Sequence, residues 1–330
     1  MRRLYLIWLF CLLLTPLMAQ QPDLIVAQDG SGDYLTIQAA VNAVPDYRKQ
    51  RTVILIKAGT YRERVIIPPS KQLLTLRGDS AETTVLVYGN SARTPSPLFP
   101  GETLGTSGSA TLYTAADDLC IEQLTIANDA GPRAGQAVAA HVSGDRVVFR
   151  RCRFLGHQDT LYTYAENSRQ YYDNCYIEGT TDFIFGWSTA VFDRCTIHSL
   201  ADSYITAAAT PQHRSSGYTF LRCILTAADG VTRVYLGRPW RIYAQTVFYE
   251  CYMGAHIRPE GWHNWNKPEA EHTTFYAEYG NIGPGSNTTR RVTWAHRLTD
   301  EQAQYYYPQD LLAGNDDWDP AQIRMSYRSK

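Results

Sequence analysis

After its first twenty residues the 330-residue chain has no second long apolar run, no HExxH or other paired spacing among its eight His, and no cluster of acids of the kind that cages Ca²⁺. The first absence argues against a membrane-spanning segment in the mature chain. The other two argue against a metal enzyme, so neither metal nor cofactor is expected. An excess of charge of one sign is missing too. The 31 Lys and Arg nearly balance the 32 Asp and Glu, giving a formal net charge of −1. No bulk field draws in nucleic acid or an acidic membrane, which disfavours a phosphate-backbone binder. Helical patterning is also scarce. Thr36 reads as the N-cap of a short helix running to about Val44, which Pro45 helps to end, and little follows it.

What is present begins with a leader. Arg2 and Arg3, an apolar run from Leu4 to Leu14 and a small residue at Ala19 have the layout of a secretory signal peptide, too short to stay as a bilayer anchor. Cys11 lies inside the apolar run rather than at its end, which disfavours a lipid-carrying cysteine. Residues 1–19 are therefore set aside, and residues 20–330 are expected to form one exported domain (periplasm, cell surface or medium), a monomer without membrane contact. The 23 Tyr and 7 Trp suit stacking on carbohydrate and equally suit β structure.

From Arg51 the chain is a series of short β-rich runs broken by Gly, Pro, Ser and Asp: RTVILIKAG, RVIIP, QLLTLRG and TTVLVYG. From Asp117 the runs become self-similar, each an apolar strand with a Cys and usually another apolar side chain two residues later. The cysteines stand at 120, 152, 175, 195, 223 and 251, so the later intervals are 23, 20, 28 and 28 residues. One core strand per unit at that period, with almost no helix, predicts an all-β solenoid, a parallel β-helix. Six cysteines in an exported chain suggest disulfides. Here each is read as filling the same slot of a repeated strand, which predicts a ladder of buried thiols, mostly reduced, with one bridge within reach of neighbouring rungs. Residues 90–110 read as a long polar excursion of the kind that carries function. GWHNW (Gly261 to Trp265), FYAEYGNIGPG and a helical section from about Thr299 are expected to cover the open end of the coil. Trp262 and Trp265 are each either groove aromatics or end-cap core.

Two segments carry chemistry. GHQDTLY (Gly156 to Tyr162) and TTDFIFG (Thr180 to Gly186) each set one Asp among residues that otherwise read as buried strand or tight turn, where a carboxylate costs several kcal/mol unless paired or neutralised. Asp159 and Asp182 lie 23 residues apart, and Gln136 and Gln158 lie 22 apart. If each repeat is one coil, both pairs recur on one face of successive turns, about 4.8 Å apart. Two such carboxyls do not both ionise. Arg238 in LGRPW supplies a fixed cation to one, leaving the other as the acid, and the two amides are donors for a developing oxyanion. That is a working set for acyl transfer. A separation of about 5 Å also fits a retaining glycosidase; the extra amide pair, which a carbonyl needs and an oxocarbenium ion does not, argues for ester chemistry.

GTYRE (Gly59 to Glu63), QAVAA (Gln136 to Ala140), GHQDTLY, DFIFG and LGRPW, in that order, resemble the signature set of the pectin methylesterases, and the similarity runs from VAQDGSGDYLTIQAAV to FYAEYGNIGPG. The resemblance implies a single-stranded right-handed parallel β-helix with a short N-terminal capping helix and C-terminal covering segments, acting on methyl-esterified pectin. It implies Asp182 as nucleophile, Asp159 as general acid then base, Gln136 and Gln158 as oxyanion donors and Arg238 as partner of Asp182. Thr111 and Trp240 match substrate-contacting positions of that family, and Tyr162 and Phe185 are expected as groove walls. Ala140 departs from the family's usual Leu, which bears on packing beside Gln136 more than on chemistry. The long inhibitory pro-region of many plant members is not seen.

Other motifs receive plainer readings. GTSGSA (Gly105 to Ala110) lacks the spacing of a serine elbow, RGD at Arg77 to Asp79 ends a strand, and His157 supports the loop rather than acting in the reaction. Competing functions are a β-helix hydrolase or lyase cutting the polygalacturonate backbone, and a silent polysaccharide-binding relative. The missing Ca²⁺ acids disfavour the lyase, and the intact Asp159, Asp182, Arg238 and both Gln disfavour decay.

Overall fold

Runs of three to five apolar residues between turn formers make strands too short to stand alone, and the chain stacks them. The computed structural model describes residues 21–316 and 318–320; the leader read in residues 1–19 lies outside them. Among the described residues the strands form three parallel sheets of 11, 8 and 7 members. Each turn of the coil passes one strand through each sheet. Arg169–Asp173, Tyr176–Gly179 and Ile184–Gly186 make one turn, and Thr189–Asp193, Thr196–Ser199 and Tyr204–Ala208 the next. The result is a right-handed parallel β-helix, the hand that parallel crossovers take. The expected helix is Ile37–Ala43, with the Thr36 hydroxyl accepting from Ala39 N at 3.2 Å.

Inside the coil, side chains stack on their equivalents one turn away. Phe149, Tyr172, Phe192, Phe220 and Phe248 are register partners on successive turns of the largest sheet, with ring centroids 5.1, 4.7, 4.6 and 4.5 Å apart. A cysteine ladder runs beside them, but with five rungs. Cys152, Cys175, Cys195, Cys223 and Cys251 each sit four residues after a register position of this sheet, whereas Cys120 pairs with Val148 within it. The slot in the turn of Cys120 is held by Leu124. All six cysteines among the described residues are buried, and none of them is in a disulfide.

The end of the coil also differs from expectation. Trp262 is core, packed on Phe248 and Tyr276, while Phe275–Tyr279 continues the largest sheet as another strand. The C-terminal section does not close the open end. It folds back along the outer face of the largest sheet, where Leu312, Leu311, Tyr306 and Trp318 cover Val148, Tyr171, Val191 and Leu221. Those outward apolar side chains give the segment a surface to bury. Among the described residues no helix is long and apolar enough to cross a membrane.

Candidate active site

The two Asp-bearing segments lie against each other because Gly179 lets them. A Cβ at Gly179 would meet the His157 carbonyl oxygen at 2.6 Å and Phe183 Cβ at 2.2 Å. With that contact closed, Asp159 N donates to Thr181 O at 3.1 Å and Leu161 N to Phe183 O at 2.9 Å, in step with the Leu161–Ile184 register. Asp159 and Asp182 are therefore row mates on adjacent turns. Both have left-handed backbone, with φ of 66° and 50°, a conformation that costs a non-glycine residue energy and recurs where a side chain must be aimed. Both are nearly closed to solvent, at 7% and 6% exposure.

Arg238 chelates only one of them. Its Nε and Nη2 donate to Asp182 Oδ1 and Oδ2 at 2.9 and 2.7 Å. Burial and the neighbouring Asp182 charge push the Asp159 carboxyl well above the usual carboxylate range, against a smaller opposing pull from Arg238. Burial raises Asp182 as well, but there the Arg238 hydrogen bonds and charge, with Lys267, pull it back. When the pair holds one proton, that proton is thus biased toward Asp159, with Asp182 left as the anion beside Arg238. The His157 ring is lowered by burial, and its carbonyl accepts from Thr160 Oγ1 and Thr180 N at 3.2 and 2.9 Å, a loop-holding position.

The two glutamines come level through a local irregularity. From Ala140 onward the register offset to the next turn is 21 residues, which alone would set Gln136 opposite His157. Ala139 N and Ala140 N both donate to Thr160 O, at 2.8 and 3.2 Å, and Ala137 N donates to Gln158 O at 3.1 Å. This bulge absorbs one residue and brings Gln136 level with Gln158, beside the Asp row. Both are half-buried, and among the described residues neither amide side chain has a hydrogen-bond partner within the chain. The excursion 90–110 rises next to them: Ala92 N donates to Gln136 O at 2.8 Å, and the loop turns back through a Pro95–Thr103 bridge, exposing Leu98 and Phe99.

Thr111 is placed differently from expectation. It is fully buried, and its hydroxyl donates to Ala127 O at 2.8 Å, so its side chain secures the strand edge under the groove and is not presented to a substrate. Tyr162 and Phe185 are row mates stacked at 4.1 Å on the outer face of the smallest sheet. Trp240 closes over them at 6.2 and 5.9 Å, with Trp187 5.6 Å from Trp240. Together they form an aromatic cluster in which Tyr162 and Phe185 are nearly closed to solvent, at 5% and 4% exposure, and Trp240 is half-buried above them. Ala140 lies in the core, fully buried.

Residue reading did not find Tyr204, Trp187 or Lys267, and it left Trp265 undecided. Trp265 lies over the guanidinium of Arg238 at 3.7 Å and Tyr204 at 4.0 Å. The signal for Tyr204 was its position 22 residues after Asp182, the same kind of interval that relates the two Asp. Among the described residues no group of three or more His, Cys, Asp or Glu could hold a metal ion.

A family model described as Pectinesterase matches residues 23–315. The chain is 39% identical over 307 residues to Pectinesterase 31 of Arabidopsis thaliana, covering 92% of this chain and 96% of that one. Its fold is similar to that of pectin methylesterase from carrot, with a TM-score of 0.83, 34% identity and coverage of 93% and 97%. It is also similar, with a TM-score of 0.80, 30% identity and coverage of 92% and 99%, to a mutant pectin methylesterase crystallised in complex with a hexasaccharide.

Proposed function

The chain belongs to the pectinesterase family, and from that premise we propose that it hydrolyses the methyl esters of galacturonate units in pectin, with Asp182 as nucleophile and Asp159 as acid and then base. The observation that carries this reading is the asymmetry of the pair: row mates on adjacent turns, one chelated by Arg238 and the other raised further by burial.

Asp182 attacks the ester carbonyl carbon, and the oxygen of the tetrahedral adduct takes up its charge beside the Gln136 and Gln158 amides. Asp159 gives its proton to the methoxy oxygen as that C–O bond breaks, and methanol leaves. An anhydride joins Asp182 to the galacturonyl unit. Asp159, now anionic, takes a proton from water as its oxygen adds to the same carbon, and collapse breaks the bond to Asp182. The polymer leaves with a free carboxyl group on that galacturonate unit, Asp182 returns to carboxylate and Asp159 to acid. Trp240 meets the polymer by its sugar faces, with Tyr162 and Phe185, nearly closed to solvent, backing it from beneath. Export through the 1–19 leader would bring the enzyme to that polymer.

Replacing Asp182 by Ala tests the reading. Methanol release from methylated pectin should be abolished, while far-UV circular dichroism and the unfolding midpoint show an intact coil. Near-normal turnover by this variant rules Asp182 out as nucleophile. New reducing ends or unsaturated products from the unaltered chain point instead to backbone cleavage.

A further inference from the structure

Arg238 is held by more than Asp182. Its guanidinium lies between two aromatic rings, 3.7 Å from the centroid of Trp265 and 4.0 Å from that of Tyr204. Behind Tyr204 the stack continues: Tyr235 lies 5.2 Å away at an interplanar angle of 10°, and Arg258 lies 4.6 Å over Tyr235. Tyr204 and Tyr235 are row mates on successive turns, and the turn of Tyr204 lies directly against that of Asp182, whose N donates to Tyr204 O at 2.9 Å. The coil that stacks the carboxylates thus also seats one of the two rings that grip their cation, and a loop brings the other.

The loop bearing Trp265 is shaped for this contact. Trp265 and Asn266 both have left-handed backbone, with φ of 56° and 55°, unusual for a residue as bulky as Trp and a sign of a conformation kept for a purpose. The loop is pinned on several sides. Trp265 N donates to His263 Nδ1 at 3.0 Å, Asn264 Nδ2 to Glu271 Oε1 at 2.7 Å, and Lys267 Nζ to the carbonyls of Pro239 and Trp240 at 2.8 and 3.0 Å.

A bidentate fork fixes a guanidinium along its edge but leaves it free to tilt out of the carboxylate plane. Two aromatic faces remove that freedom and keep water from the flat sides of the cation. We propose that Trp265 and Tyr204 are positioning residues of the esterase: they clamp Arg238 in the plane of the Asp182 carboxylate, keeping the nucleophile charged and aimed. The proposal rests on the assignment of Asp182 as nucleophile. The charged and titratable groups facing Asp182 are Arg238, Lys267, Asp159 on the adjacent turn and the buried Tyr276 hydroxyl, with His263 beside Arg238.

The test compares Trp265→Leu and Tyr204→Leu with Trp265→Phe and Tyr204→Phe, measuring kcat and KM on methylated pectin across pH, with unfolding midpoints alongside. The Leu variants should lose roughly tenfold to a hundredfold in kcat, the scale of a misaligned catalytic group, with KM little changed. Their acid limb should move to higher pH, because a carboxylate that loses its fixed cation is more easily protonated. The Phe variants, which keep a flat face, should retain most of the activity and the original limb. Trp265 is partly exposed, so its replacement does not open the core. The proposal is overturned if kcat is unchanged, if KM alone rises, or if kcat falls equally in Leu and Phe variants with the limb unmoved. Asp182→Ala run in the same assay separates the two claims. An inactive Asp182→Ala beside a fully active Trp265→Leu removes the clamp alone, whereas an active Asp182→Ala removes the nucleophile assignment as well.

Discussion

Asp159 carries two costs at once, a left-handed backbone and a carboxyl that must keep its proton in a buried setting. Both should show in solution. Activity should rise with pH as Asp182 ionises and fall as Asp159 loses its proton, giving a bell whose basic limb belongs to Asp159. Asp159→Asn should lower kcat by about 10²–10⁴-fold, the worth of a general acid and base, and remove that limb. It should also stabilise the fold. The folded-state pKa of Asp159 lies above its unfolded value, so its contribution to stability is fully present at low pH and is lost as pH rises through the folded pKa. The unfolding midpoint of Asp159→Asn should therefore exceed that of the parent chain by a margin that widens with pH. A margin that is flat or narrows with pH would contradict the raised pKa. The residue types of Asp159, Asp182 and Arg238 were legible in the sequence because each breaks a local pattern. Tyr204 and Trp265 break none, since a tyrosine in a strand and a tryptophan in a loop are ordinary.

The strand ladder was readable as a period, and the period misled at one rung. Cys120 looks like its neighbours but stands 32 residues before Cys152, and the register puts Leu124 in the slot. Composition gave the residue type, whereas only pairing shows which residue of a turn faces inward. In the true rungs each Sγ lies within hydrogen-bonding distance of a carbonyl one turn back: Cys152 to Ile121, Cys175 to Phe149, Cys195 to Tyr172, Cys223 to Phe192 and Cys251 to Phe220, at 3.3, 3.6, 3.3, 3.2 and 3.4 Å. A row of thiols so occupied and buried serves as packing. A chain starting at residue 20 should show almost no reaction with a thiol reagent when native and six reactive thiols in denaturant. Four or fewer in denaturant without reductant would reveal a bridge.

The C-terminal segment ties neighbouring turns together along the outside of the coil. Asp316 accepts from Arg169 Nη1 and Nη2 at 2.7 and 2.6 Å and from Arg146 Nη1 at 3.1 Å, and the Arg169 hydrogen bonds hold its carboxyl well below the usual range. A depressed pKa contributes stability above the unfolded value and loses it as pH falls. Asp316→Asn should therefore destabilise the neutral protein by about 1 kcal/mol, a figure discounted for the screening of a carboxylate about one-third exposed. The difference should vanish in acid melts, and one that persists there would place the effect elsewhere. By itself the sequence determined the coil, its approximate pitch and the chemical kinds needed for an acyl transfer, because strand periodicity and an Asp among apolar residues are local properties. The tertiary structure decided what depends on unequal turns of about 20 to 30 residues. The bulge that levels Gln136 with Gln158, the burial of Thr111, the path of the C-terminal segment and the rings around Arg238 all follow from which residues the register brings together, and register is settled only when whole turns pack.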